Sequence, residues 1–527
     1  MRKRLSLLLV LILVVLVCCT GCTSSSPSVS CEYESRLFST DTVHTVSITL
    51  AESDWEDLKT HPLDKTKYSA NVSIDGETFL NVSFATKGNS SLAAVAARPD
   101  SNRYSFKINF GKYDKEQTYH GLNKLHLNNL FGDSTLMKDF FSYELFRYVG
   151  VSAPLVSFVW LTVNEKPVGL YLAVEDMSES FLARTLNNRG VLYKPEAKAV
   201  DNARLQFDLL QGSSGNTVAD ISPEVQPSAQ SPVSCQGADL VYINEEISSY
   251  PDLFEHVQTP VETEDFQRLI SALNGFHEMK NPEEYLNTKE ITAYFAAHNF
   301  VLNGDSYIGI LPTNYLLHEL NGKLAMLPWD YNLAFGAFPA GSPLGGQGVV
   351  PDSAPGESFE SPPGDPLFDP AALIPADNSG EIPPEAVSML LNTGIYSPLS
   401  GVPDNHRPMW SWILSNKYFV NMYRDALGRI VSVYFPSAFE KRADRLYQML
   451  LPYVEKDPSA FYTAKEFTRG FKTFKSFCLL RAQSVRAQLD GKLSPITFSQ
   501  RPEDRVDTSG IDMPTMGTPL HDSPSAQ

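Results

Sequence analysis

The sequence predicts an α+β fold, strand-rich in its N-terminal half and helical in its C-terminal half, and three observations predict it. Between about residues 42 and 176, apolar and polar residues alternate in short runs separated by turn-forming pairs, the period of half-buried strands. From 262 to 300 and from 382 to 492 the apolar residues recur instead at helical spacing. Two stretches, about 197–236 and 337–380, are rich in Ser, Pro, Gly, Gln and Asn without periodicity, so they read as long low-complexity insertions. The 527 residues are enough for one large two-lobed domain.

In chain order, HTVSIT is a strand leading into a short helix, and YSANVSIDGETFLNVSFATKG is a hairpin turning at Ile74-Asp75-Gly76. RYSFKINF, 103–110, is another alternating strand. LNKLHLNNL leads to Asp133-Ser134, the predicted N-cap of a helix over 135–148 that stops at Gly150. SFVWLTVNEKPVGLYLAVED gives two strands joined through Asn164-Glu165-Lys166-Pro167, followed by a helix over 178–186 and the segment GVLYKPE. Beyond the first insertion, FQRLISALNGF and EEYLNTKEITAYFAAHNFVL each read as one helix. The second insertion is expected to act as a lid, since structureless loops of that length inside a domain are commonly functional. Helices fill the rest up to 492, and the tail 493–527 is expected to be disordered.

Met1-Arg2-Lys3-Arg4 and the apolar run Leu5–Cys19 read as a secretory leader, too short for an ordinary membrane span. Cys19-Thr20-Gly21-Cys22 resembles a bacterial lipoprotein cleavage box, which makes residues 1–22 the signal and Cys22 the lipidated N-terminus. The expected location is therefore the cell membrane, lipid-anchored and facing away from the cytoplasm, with 23–41 as a Ser-rich tether. The net charge of −18 argues against nucleic acid as a partner. Past the leader only Cys31, Cys235 and Cys478 remain, too few and too scattered for a disulfide framework or a zinc site.

The chemistry concentrates in HNFVLNGDSYIGILPTNYLLHELNGKLAMLPWDYNLAFG, 298–336. Asn303-Gly304-Asp305 follows a helix-like run, and NYLLHEL-NGK-LAMLPWD then forms a predicted hairpin on Asn321-Gly322, whose open end brings Asn314 near Asp330. Two carboxylates and an amide suit Mg²⁺, which takes hard oxygen ligands together with substrate phosphates. A carboxylate behind Trp329 in an apolar strand also needs a partner or a metal.

KGNSS at 87–91, SFKINF at 105–110, LNNLFGDSTLMKDFFSYELFRYVG at 127–150, VNEKPVGLYLAVED at 163–176, LYK at 192–194, NGDSY at 303–307, NYLL at 314–317 and LPWDYNLAFG at 327–336 occur in the order of the spore-coat protein H (CotH) kinase-like family, which the chain resembles over 42–492. The resemblance implies an atypical two-lobed protein-kinase-like fold with a strand-rich N-lobe and a helical C-lobe. It also implies transfer of the ATP γ-phosphate to Ser or Thr of a cell-envelope or secreted protein, with Mg²⁺ or Mn²⁺. By it Asp305 is the catalytic-loop acid, Asn314 the metal-binding amide and Asp330 the metal-binding acid. The phosphate lysine it implies is Lys107 paired with Glu144, or Lys194 paired with Glu175, and KGNSS is a weak phosphate-covering loop. The competing expectation is a non-catalytic, lipid-anchored surface or cell-wall binding protein that retains the fold.

Overall fold

In the computed structural model, which describes residues 31–196, 236–278, 281–309, 312–337, 382–397 and 407–517, seven strands of the N-terminal part close into a barrel. They are β1 (His44–Thr49), β2 (Tyr68–Ile74), β3 (Glu77–Lys87), β4 (Ser105–Asn109), β5 (Lys124–Asn128), β6 (Val156–Val163) and β7 (Lys166–Glu175), in the order β1-β2-β3-β4-β5-β7-β6. Alternation decides which residues point inward: Val72, Phe84, Phe106, Ile108, Leu125, Leu127, Leu161 and Tyr171 fill the interior. The predicted sheet was antiparallel, and most pairs are. Closure comes from a parallel β1·β6 pair, which local periodicity does not encode and which removes both exposed edges. The β6–β7 turn is the two-residue Asn164-Glu165, both at positive φ (47° and 64°), so Lys166 and Pro167 belong to the strand and not to the turn.

Residues 31–38 are not tether. Helix α1 (Tyr33–Leu37) packs on the barrel core with Tyr33 and Leu37 fully buried, and the Tyr33 hydroxyl donates to Glu175 Oε1 at 2.6 Å. Helices α2 (Glu52–Thr60) and α3 (Ser90–Ala96) lie in barrel connections. Helix α4 (Lys138–Val149) is the main one of this half. It begins at Lys138, later than the expected 135, and Asp133 is not its N-cap. The Asp133 carboxylate holds the turn before the helix, accepting the N–H groups of Thr135 (2.9 Å) and Lys138 (3.0 Å), while the helix ends at Gly150 at φ 95°, as expected. Nearly all of α4 is buried, because it lies between the outer face of β6 and β7 and the helical half. Helix α5 (Glu179–Leu186) follows.

A second sheet, ordered β10-β9-β8, contains β8 (Val191–Tyr193) and the predicted hairpin, β9 (Tyr315–Leu320) and β10 (Lys323–Pro328). The expected helix over EEYLNTKEITAYFAAHNFVL is broken. A single turn at Pro282–Tyr285 precedes α7 (Thr288–Val301), because the Asn287 side chain caps α7 at Glu290 N; α6 (Thr263–His277) stands before both. The helical half comprises α8 (Pro384–Leu391), α9 (Pro408–Leu414), α10 (Lys417–Arg429), a π-helical stretch Ile430–Phe439, α11 (Glu440–Val454) and α12 (Ala464–Leu489). Fully buried Arg481 of α12 donates to the carbonyls of Asn299 (2.9 Å), Phe300 (3.4 Å), Leu391 (3.0 Å) and Thr393 (2.7 Å), fixing the end of α7 from which the Asp305 loop leaves.

The tail also departs from expectation: residues 493–517 are ordered, with Met513 and Met516 buried in the main core, because these apolar residues find a seat on α12. The leader with Cys22, Cys235, and nearly all of both insertions lie outside the described residues, as does the expected lid. Cys31 and Cys478 are free thiols. Among the described residues, no helix is long and apolar enough to cross a membrane.

Candidate functional site

The β9–β10 hairpin does what its sequence predicts: Tyr315 pairs with Pro328, so Asn314 and Trp329-Asp330 leave side by side from its open end. Asn314 and Asp330 both adopt left-handed backbone (φ 55° and 57°), a conformation Asn and Asp tolerate better than most residues. Asn314 Nδ2 donates to the Asp305 carbonyl at 3.0 Å, which joins the two residues through the amide nitrogen and not through Oδ1. Asp305 itself is buried, its N–H held by Asn303 Oδ1 at 3.2 Å.

Helix α4 supplies what the sequence reading did not find. Asp139 Oδ1 accepts the Tyr331 N–H at 2.7 Å, and the Tyr143 hydroxyl accepts the Asp330 N–H at 2.9 Å, so one helix face grips the backbone around Asp330. Burial, and then the neighbouring Asp330 charge, push the Asp139 carboxyl up to about 7. A cation reaches the site from β3: Lys87, at the strand's outward-facing end. Its Nζ donates to Asn128 Oδ1 at 2.6 Å and lies 5.8 Å above the Trp329 ring, while Asn128 Nδ2 reaches Asp139 Oδ2 at 3.5 Å. Desolvation draws Lys87 down to about 8, against the opposing pull of Asp330 and Asp139. Lys107 and Lys194 are near enough to depress it further.

The lysine–glutamate pairs implied by resemblance do not form. Lys107 pairs with Asp176 at 2.8 Å, and Lys194 pairs with Glu196. Glu144 lies five residues after Asp139, about 140° around α4, and there accepts the Tyr434 hydroxyl (2.6 Å) and Arg442 Nε (3.3 Å). Glu175 is the last residue of β7, just before Asp176, and its side chain goes to Tyr33 and to Arg184 Nη2 at 2.6 Å. KGNSS is not an open phosphate loop, since Lys87 ends β3, Gly88 turns at φ 105° and Ser90 begins α3. Its contribution is the Lys87 ammonium.

A hydrogen-bonded chain connects the two acid-bearing loops. Ser306 Oγ meets His298 Nε2 at 3.1 Å, His298 Nδ1 meets the Tyr331 hydroxyl at 2.8 Å, and the Tyr331 N–H returns to Asp139. Burial pulls His298 down to about 3, so it works here as a neutral ring. Among the described residues, no group of three or more His, Cys, Asp or Glu side chains is placed to hold a metal. The donor set still fits Mg²⁺ or Mn²⁺ carried by a nucleotide. Such an ion needs only one or two carboxylates, and the Asp330 carboxylate with the Asn314 amide would hold it beside a second, electrostatically strained acid.

A family model described as CotH kinase protein matches residues 84–485. The chain belongs to the CotH family. The matched range includes Lys87, Asp139, Asp305, Asn314 and Asp330, and stops short of the ordered tail. Inner spore coat protein H of Bacillus subtilis (strain 168) is 24% identical over 245 residues, an alignment covering 45% of this CotH chain and 56% of that protein. It thus spans little more than half of that relative's length.

Proposed function

We propose that this CotH protein is an atypical kinase that transfers the ATP γ-phosphate to Ser or Thr of a cell-envelope or secreted protein. The barrel with α4 and the helical half are read as the two lobes of a kinase-like fold. The single observation that carries the reading is the convergence of Lys87, Asp139 and Asp330 beside the joined pair Asn314 and Asp305 in a chain whose net charge is −18. A cation concentrated among acids in an otherwise acidic protein is what a metal–triphosphate ligand needs.

Lys87 would neutralise phosphate oxygens, with Lys107 and Lys194 flanking it, and Asp330 and Asn314 would hold Mg²⁺ or Mn²⁺. The ion supplies charge neutralisation between the phosphates. Asp305 would orient the acceptor hydroxyl and take its proton as the oxygen bonds the γ-phosphorus and the bond to ADP breaks. Anchoring at the membrane rests on the leader and Cys22 alone. A second reading, a non-catalytic surface protein, draws on one observation: Asp305 is only 3% exposed, and an acceptor must reach it.

Thermal unfolding with ATP and Mg²⁺ or Mn²⁺, beside Asp330→Asn, tests the proposal. A ligand at about a hundred times its Kd stabilises by about 2.7 kcal/mol. A metal-dependent shift lost in Asp330→Asn supports the nucleotide site, and labelled protein from γ-labelled ATP then supports transfer. No shift from folded protein overturns the kinase reading in favour of the surface protein.

A further inference from the structure

Helix α4 carries Asp139 into the site, yet its first turn is completed by residues more than 370 positions away. Ser134 Oγ donates to the Thr515 carbonyl at 2.5 Å, and the fully buried Lys138 ammonium lies 3.5 Å from the Gly517 carbonyl, 3.3 Å from that of Gly132 and 3.8 Å from Asp133 Oδ1. Burial lowers the pKa of this lysine, and the contacts around its ammonium are all long, so each one removed weighs on the helix start. Thr515 is fastened in turn to α12, its Oγ1 lying 2.8 Å from Thr473 Oγ1. Close approach leaves no slack: a Cβ on Gly517 would stand 2.6 Å from Ser134 N and 2.8 Å from Gly132 O, at a φ of 84°.

The same tail segment touches the other side of the site. A Cβ on Gly336, the last residue of PWDYNLAFG, would meet Leu390 Cδ2 at 2.5 Å and Met513 Cε at 3.1 Å, so the tail shares this contact with α8, and Asn332 Nδ2 of that segment donates to the Phe131 carbonyl at 3.2 Å. The six residues from Asp512 to Gly517 therefore back both the loop that starts α4 and the segment that follows Asp330. All of them lie beyond residue 485, where the family match ends.

We propose that the segment Asp512–Gly517 is a positioning strap, acting through Ser134 and Lys138 on Asp139 and through Gly336 on Asp330, so that the two carboxylates face Lys87 in a fixed register. The part that concerns nucleotide rests on the kinase reading above. The strap is a property of this chain's own tail, outside the matched family range. Thr515 and Gly517 touch no reacting atom and are positioning residues.

The experiment compares the full chain, a chain ending at Ser509, and full-length Gly517→Val, using hydrogen exchange and Mn²⁺·ATP affinity. The expected result is lost exchange protection at 131–141 and 330–336 with the barrel strands β2–β4 unchanged, and at least a tenfold weaker Mn²⁺·ATP affinity. A synthetic peptide of residues 507–527 added in trans should restore both to the truncated chain, which general destabilisation would not allow. Unchanged protection at 131–141 in both variants overturns the strap. Lost protection with unchanged affinity overturns its action on the site. Where the full chain binds no Mn²⁺·ATP, the kinase reading has failed and the exchange result alone decides the strap. Where the truncated chain does not fold, Gly517→Val decides it.

Discussion

Asp139 Oδ1 accepts the backbone N–H of Tyr331 at 2.7 Å, so the acid that helix α4 delivers holds the residue next to Asp330 while its own charge opposes that of Asp330. The two effects separate in Asp139→Asn, which keeps an acceptor oxygen and removes the charge. With its folded pKa raised to about 7, Asp139 binds more protons folded than unfolded between pH 4 and 7. Its contribution to stability therefore falls as pH rises across that window, and the penalty is complete above it. Metal-free Asp139→Asn should melt higher than wild type at pH 8 and show a flatter pH–Tm profile. Asp139→Ala, which also loses the hydrogen bond, should gain less by about 1 kcal/mol.

Lys87→Met should abolish the ATP-dependent thermal shift without unfolding the chain, since it removes a partly desolvated cation and keeps the stem. Because the Lys87 pKa is drawn down to about 8, the wild-type shift should itself fade as pH rises through that value. A shift that stays constant to pH 9.5 would remove Lys87 from the phosphate site.

Glu144→Gln gives the opposite pattern. Glu144 ties α4 to Tyr434 and to Arg442, which in turn pairs with Asp41 at 3.3 Å, so its loss should lower stability by about 1 kcal/mol in urea. Nucleotide binding should remain, because this glutamate faces away from Lys87. Loss of the ATP shift in a folded Glu144→Gln protein would restore the lysine–glutamate pairing that resemblance implied.

Local patterns made the β2–β3 turn, the β9–β10 hairpin and the C-terminal end of α4 legible in the sequence, since Asp75-Gly76, Asn321-Gly322 and Gly150 act on their own neighbours. The approach of Asn314 to Asp330 was legible for the same reason, being ordered by one hairpin, whereas Asp305 comes from the end of α7. Lys87 and Asp139 were not, because the β3 end meets the α4 start only across the β3·β4·β5 pairing, through Asn128. An acid in the second position of a largely apolar helix, KDFFSYELF, was the available signal. The sequence also could not show that Met513 and Met516 find a seat on α12, so a short, polar-looking tail read as structureless.

Two buried histidines contribute to the loss of stability in acid. His298 and His126 are both held at about 3 by burial, His126 with Lys87 adding to the effect against its bond to Asp176 at 2.7 Å. The unfolded chain takes up these protons below about 6.5, and the folded chain does not. Stability from each ring is therefore full at neutral pH and lost as pH falls from about 6.5 toward 3, by up to about 1.4 kcal/mol per pH unit. His298→Gln should flatten the slope of stability between pH 6 and 4. An unchanged slope would mean that the ring is already protonated in the fold.

Among the contacts between the barrel and the helical half is one buried ion pair. Arg103 Nη1 lies 3.0 Å from both carboxylate oxygens of Asp457, and Asp457 Oδ2 also accepts the Leu170 N–H at 2.8 Å. Both side chains are almost wholly buried, and the guanidinium stacks 4.8 Å from the Tyr171 ring. Asp457→Ala strands that guanidinium without a counter-charge and should cost about 3–5 kcal/mol in urea unfolding, whereas Asp457→Leu with Arg103→Met should recover much of it. Gly169 tests the same contact from the other strand face, because any Cβ there collides with Asp457 and Arg103. Gly169→Ala should therefore destabilise in wild type and less in the double variant, and additive losses would show that Gly169 does not couple to the pair.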